Sequence, residues 1–223
     1  YLIISFFLNK KFKPNRTLLA ENFYFLGKDD SAIKNYKKLK KIGSVYSWHA
    51  SKVLATIEAQ YEDIKKVVKK LEKEFSLITE PDFEDYYEMA NFYKNKEYYE
   101  KAVEYYSLTL KNINQDHVLV AKILDKRGSS YERIDNWENA EKDLLKSLEL
   151  SPKQAYVINY LAYSWITKGK NINKSLKMLK EASQLKKDDG YIIDSLGWAY
   201  YVNKNYVEAE KYLREAVELM PRD

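Results

Sequence analysis

Asp194-Ser195-Leu196-Gly197-Trp198-Ala199-Tyr200, followed at fixed offsets by Tyr206, Ala209, Leu213, Ala216 and Pro221, is the stretch whose pattern decides the fold. Gly197, Ala209 and Ala216 are small, Tyr200 is aromatic, and Pro221 closes the stretch. Ala209, Leu213, Ala216 and Val217 fall on one face of a helix, because their spacings of four and three match its turn. Small residues on such a face let a second helix come close.

The same ladder recurs upstream. Gly128, Tyr131, Ala140, Leu144, Ser147 and Pro152 keep its spacings, as do Ala90, Tyr93, Ala102, Tyr106 and Thr109, and Ala20, Phe23, Ala32, Tyr36 and Leu39. A fifth copy, Ala162, Trp165, Ser175, Leu179 and Ala182, has one extra residue between its halves. A degenerate copy is marked by Ala55, Val67 and Leu71, with Glu58 in place of the aromatic. The anchors at 20, 55, 90, 128, 162 and 197 are separated by 35, 35, 38, 34 and 35 residues. The longer step points to an extended loop near Asn112–Asp116. Turn chemistry separates the halves at Lys28-Asp29-Asp30, Asn95-Lys96, Asp135-Asn136, Lys168-Gly169-Lys170-Asn171 and Asn203-Lys204-Asn205. Second helices are predicted to start at Tyr99, Trp137, Ile172 and Tyr206.

These residues resemble the tetratricopeptide repeat (TPR) family, whose period is about 34 residues. The resemblance implies an all-α, right-handed superhelical solenoid of about six helix–turn–helix units, with a leading partial helix B over 1–11. The units are expected near 13–46, 48–81, 83–116, 121–154, 155–189 and 190–223. The second departs most, so its packing is expected to be looser or shifted. The run Asn159–Trp165 and then Asp188–Trp198 is similar to a phrase in large multi-TPR proteins of Gram-negative bacteria, some of them envelope lipoproteins. That resemblance implies an adaptor role, and a periplasmic or membrane-anchored location beside a cytoplasmic one. The chain starts at Tyr1 and reads as a piece of something longer, without a polar capping helix at either end. A membrane contact would come only through an anchor ahead of it.

Composition agrees. The 223 residues include 6 Gly and 4 Pro, few for a turn-rich β fold. Zero Cys excludes disulfide scaffolds, Cys-based zinc sites and thiol nucleophiles. The net charge of +5 is mild. The opening run Tyr1–Leu8 is too short to span a bilayer. His49 and His117 are expected on the surface or in loops, since neither has a metal-ligand neighbour at helical spacing. No phosphate loop or catalytic constellation stands in the sequence, so a non-enzymatic chain without cofactor or metal is expected.

In the family, the first helix of each unit lines a concave groove. The resemblance then assigns groove positions to Glu84, Tyr87, Asn91 and Lys94 in the third unit. In the fourth they are Lys122, Asp125, Ser129, Glu132 and Arg133. In the fifth they are Tyr156, Asn159, Tyr163 and Ile166, and in the sixth Tyr191, Asp194, Trp198 and Tyr201. Aromatic area with a few amide and carboxylate groups suits a peptide or protein partner. A chaperone-tail carboxylate clamp is not expected: Asn91 fits it, but Tyr87, Tyr156 and Tyr160 stand where cations would be needed, and Lys126 where an amide would be.

Two alternatives remain open. Residues 1–44 carry ten basic and three acidic residues, and 153–188 carry eight and two, so a basic surface could contact nucleic acid or a membrane. Lys37, Lys38, Lys40 and Lys41, however, fall where cations complement a helix C-terminus. The other alternative is a structural spacer or an oligomerisation arm. Oligomeric state is not written in the sequence.

Overall fold

The structure is a computed structural model that describes residues 13–41 and 44–220. The described residues form twelve helices and no strand. They fall into two compact bodies, divided between Pro81 and Asp82. The partial helix expected over 1–11 and the closing Pro221 lie outside the described residues.

The first body contains α1 (Lys13–Phe25), α2 (Asp29–Leu39), α3 (Ser44–Glu58) and α4 (Ile64–Phe75). The second contains α5 (Phe83–Asn95), α6 (Tyr99–Asn112), α7 (Val120–Arg133), α8 (Trp137–Leu150), α9 (Ala155–Thr167), α10 (Ile172–Leu185), α11 (Gly190–Val202) and α12 (Tyr206–Leu219). Consecutive helices pair as hairpins, and each hairpin packs on the next within its body. This is an all-α helical-repeat solenoid. The second helices begin at Tyr99, Trp137, Ile172 and Tyr206, as the turn chemistry predicts. The connection 113–119 has seven residues where 151–154 and 186–189 have four, which accounts for the long step.

The ladder is the core. Ala20, Ala90, Gly128, Ala162 and Gly197 are buried on first helices, and Ala32, Ala102, Ala140, Ser175 and Ala209 on second helices. The close approach is tightest at Gly197, where a Cβ would lie 2.8 Å from Leu213 Cγ and 3.1 Å from the Leu213 backbone nitrogen. Leu144, Leu179 and Trp165 fill the space that the small residues leave. Each such side chain contributes roughly 1.5–3 kcal/mol when fully buried.

The turn inside each regular hairpin repeats as closely as the core. Seven residues after the anchor the backbone is left-handed, at Gly27, Glu97, Asp135, Gly169 and Lys204, with φ of 64°, 63°, 59°, 66° and 62°. The next N–H then reaches back to the carbonyl of the ladder aromatic. Lys28 donates to Phe23, Tyr98 to Tyr93, Asn136 to Tyr131, Lys170 to Trp165 and Asn205 to Tyr200, at 2.8–2.9 Å. This six-to-one bond satisfies a carbonyl that the helix end would otherwise leave open.

The second hairpin breaks the rule and shows the reason. Val67 and Leu71 are buried, but Val67 is too large for the close approach, and α3 and α4 touch over less of their length than any other hairpin. The looser packing expected of this unit is what is found. Glu58 cannot fill the groove as an aromatic does, and Lys70 Nζ donates to it at 3.1 Å. No left-handed residue closes this connection, and Glu62 N–H bonds the Glu58 carbonyl instead.

Candidate functional site on the first helices of residues 82–223

The candidate residues lie on α5, α7, α9 and α11. Each helix is entered or left by local chemistry that fixes its register. Asp82 caps α5 by accepting from Glu84 and Asp85 N–H at 2.9 and 3.0 Å, and Asp85 reciprocates. Asp189 accepts from Ile192 N–H at the start of α11. It also accepts from the Tyr156 hydroxyl on α9 at 2.7 Å, so two successive first helices are tied at their N-terminal ends.

The aromatic residues of α9 and α11 are exposed. Tyr156 and Tyr191 are 59% and 65% exposed, and Tyr163, Trp198 and Tyr201 are also open to solvent. Trp198 and Tyr201 stack at 5.4 Å and 19°, and Tyr206 meets Tyr201 edge-on at 5.6 Å. Their neighbours Ile192, Ile193, Leu196, Tyr200, Leu161 and Trp165 form the buried core, and of the exposed residues Tyr156 also ties α9 to α11 through Asp189. Asp194 is exposed among them, and partial burial pushes its carboxyl above the usual value. Asn159 is half-buried, and its Oδ1 has no hydrogen-bond partner. Ile166, by contrast, is buried in the core.

The α5 residues behave differently. Tyr106, fully buried on α6, donates its hydroxyl to Asn91 Oδ1 at 2.9 Å. Tyr87 packs its ring 6.2 Å from Tyr106, and burial pushes its phenol up, with the Asn91 hydrogen bond opposing. Tyr87 and Asn91 therefore serve the α5/α6 hairpin as well as the surface. Lys94 reaches across to α7, donating to Ser129 Oγ and to the Lys126 carbonyl at 3.5 Å. Burial lowers its ammonium from 10.5 to about 8, with Asp125 raising it and Lys126 and Arg133 lowering it further. Lys94 and Tyr163 share one cleft with Ser129, Arg133 and Tyr160. Tyr160 donates to Glu132 Oε2 at 2.9 Å, and its burial raises the phenol strongly.

Outside the surface, Arg127 forms a buried link that spacing did not reveal. Its Nε and Nη2 donate to Asp143 Oδ2 and Oδ1 at 2.6 and 2.9 Å, and Nη1 donates to Ser107 Oγ at 3.0 Å. Three helices, α6, α7 and α8, meet in this network.

Part of the basic stretches is engaged. Lys168, Lys174, Lys180 and Lys186 lie over Trp137, Trp165, Tyr200 and Tyr156 at 4.8–5.7 Å. Lys40 pairs with Glu74 at 2.8 Å. His117 sits in the 113–119 connection and accepts from Leu119 N–H at 3.2 Å. His49 is not a loop residue: it lies within α3, half-buried, with its ring 6.1 Å from Tyr36. Among the described residues no group of three or more His, Cys, Asp or Glu side chains could hold a metal ion, and no helix is long and apolar enough to cross a membrane.

Residues 86–111, 121–154 and 191–223 match the tetratricopeptide repeat family. These three segments, all in the second body, are tetratricopeptide repeats. A TPR repeat-containing protein of Pseudomonas aeruginosa is 28% identical over 132 residues, which are 59% of this chain and 22% of that protein. The chain thus matches about a fifth of the length of this curated relative. Among solved structures, BtubC from P. vanneervenii aligns with a TM-score of 0.70 at 17% identity, over 87% of this chain and 89% of that one. YrrB, described as a TPR protein with an unusual peptide-binding site, aligns with a TM-score of 0.54 at 13% identity, over 99% and 93%. At these identities the likeness is one of fold. TPR chains serve in general as protein–protein interaction scaffolds, and this chain has that architecture.

Proposed function

We propose that the exposed surface of α5, α7, α9 and α11 captures a peptide or protein segment, and that the chain works as a non-enzymatic scaffold. The observation that carries this reading is the row Tyr156, Tyr163, Tyr191, Trp198 and Tyr201. These large rings are exposed above a core of buried aliphatic and aromatic residues. Exposed aromatic area costs solubility unless a partner covers it, and rigid rings lose little entropy when they bind. Asn159 and Asp194 lie among the rings and offer the polar contacts that fix an extended backbone. Tyr87, Asn91 and Lys94 extend the same surface to α5. The binding reading is also supported by the peptide site named for YrrB, a protein of the same fold.

The unit boundaries set out above, read as one array, belong to this proposal. So does the role as an adaptor in a bacterial envelope complex, which rests on the resemblance carried by the phrase around Asn159–Trp165. Replacing Tyr163, Trp198 and Tyr201 together by Ala tests the surface. Partner capture by the full-length protein is expected to be lost while far-UV helicity stays at the wild-type level. Undiminished capture by the folded triple variant sinks the assignment.

A further inference from the structure

The cleft between α5, α7 and α9 has a volume of about 500 Å3, and Lys94, Tyr99, Ser129, Arg133, Tyr160 and Tyr163 line it. Two of these are cations without a carboxylate at ion-pair distance. The Lys94 ammonium is bonded only to the Ser129 hydroxyl and the Lys126 carbonyl. The Arg133 guanidinium lies over the Tyr99 ring at 5.6 Å. The acid in the cleft, Glu132, accepts from the Tyr160 hydroxyl at 2.9 Å and keeps its charge, which acts on Arg133 through space. Asp125, one helical turn or two before these residues on α7, raises Lys94 through space without forming an ion pair, and Lys126 offsets it.

A partly buried cation that is not paired costs free energy that a hydrophobic residue of the same length would not. Lys94 bears that cost: burial holds its ammonium well below the ordinary lysine value. The fold does not need the charge, since α6 packs on both α5 and α7 and holds them through buried apolar residues. The positive charge of Lys94 and Arg133, offset only in part by Glu132 and Asp125, the hydroxyl of Ser129 and the aromatic walls together make a receptor for one anionic group with an apolar stem. The cleft lies within the helix series, with surface residues on α5 before it and on α9 and α11 after it. That position suits a side chain of a peptide passing through better than a chain end.

We infer that this cleft takes the carboxylate of an Asp or Glu side chain of an extended peptide, held by Lys94 and Arg133, with the peptide continuing over Tyr163 and the rings of α11. The inference rests on the reading that these first helices form a peptide-binding surface, and it adds the chemical class of the peptide: acidic at one position, aromatic or aliphatic beside it. A charge-assisted contact of this kind separates an acid from its amide by more than an ordinary hydrogen bond does.

The test is selection from a random peptide library displayed on phage, with the full chain immobilised. Enriched peptides are expected to carry Asp or Glu at one fixed position. A synthetic peptide from that pool, amidated at its C-terminus, is then compared with its Glu→Gln twin by fluorescence anisotropy. The wild-type chain is expected to bind the acid about tenfold more tightly, and Lys94→Met with Arg133→Gln to bind both twins alike. Equal binding of the twins by the wild-type chain overturns the inference without any variant, so misfolding of the double variant does not protect it. Enriched peptides without acidic bias, or binding that depends on a free C-terminal carboxylate, overturn it and leave the surface reading standing. If no peptide is enriched, both fall.

Discussion

Removing one partner of the Arg127–Asp143 pair leaves the other charge stranded. The two side chains are 19% and 7% exposed, and they share two parallel bonds at 2.6 and 2.9 Å. In Arg127→Met the methionine covers the same stem, but the carboxylate on α8 keeps its charge and loses both donors. Stranding a buried charge costs about 3–5 kcal/mol. Solvent reaches the arginine side of the pair, so a loss of about 3 kcal/mol is expected for residues 82–223. Replacing Asp143 by Leu in the same chain removes the stranded charge, and the double variant is expected within about 1 kcal/mol of wild type. Urea unfolding followed by far-UV circular dichroism at pH 7 measures both variants. A wild-type midpoint for Arg127→Met, or a double variant no more stable than that single one, refutes the reasoning.

Lys94→Met is expected to stabilise the same body at pH 7, on the order of 2 kcal/mol, from the displacement of 10.5 to about 8 discounted for residual solvent. The sign follows from proton counting: between about 8 and 10.5 the unfolded chain binds more protons, so wild-type stability rises with pH and the gain from Met fades by pH 10.5. A gain that grows with pH contradicts the lowered ammonium. Lys204→Gly and Glu97→Gly relieve side chains from the left-handed region and are expected to stabilise by about 0.5 kcal/mol each, the steric relief outweighing the entropy of a new glycine. Differential scanning calorimetry checks the sign, and a lowered transition for both counts against the turn geometry.

The fold could be read from the chain because its requirement is local and periodic. A small residue every 35 or so positions has one evident use, a close helix crossing, and each of those anchors is buried. The turns were half legible. Gly27 and Gly169 announce a left-handed residue, whereas Glu97 and Lys204 adopt it because the six-to-one bond to Tyr93 and Tyr200 outweighs their preference. The aromatic surface of α9 and α11 was legible from repeat position alone. The double duty of Tyr87 and Asn91 was not, since it depends on where the Tyr106 hydroxyl points. The Lys94 cleft and the Arg127 network join residues 16 to 35 positions apart on different helices, and no spacing rule predicts which side chains meet there.

The tyrosines sealed into the hairpins have an optical consequence. Burial raises the phenols of Tyr36, to about 12, and of Tyr106 and Tyr160 further. Such a proton is held only while the hairpin around it is closed, so its stabilising share is lost as the solution becomes strongly alkaline. Phenolate and phenol differ in ultraviolet absorbance. A jump to alkaline pH therefore splits the signal in time: exposed rings respond at once, and sealed ones respond at the rate at which their hairpins open. Tyr36 times the opening of residues 13–81, and Tyr106 times that of 82–220. The chain carries its own chromophores for following each body separately, without an added label.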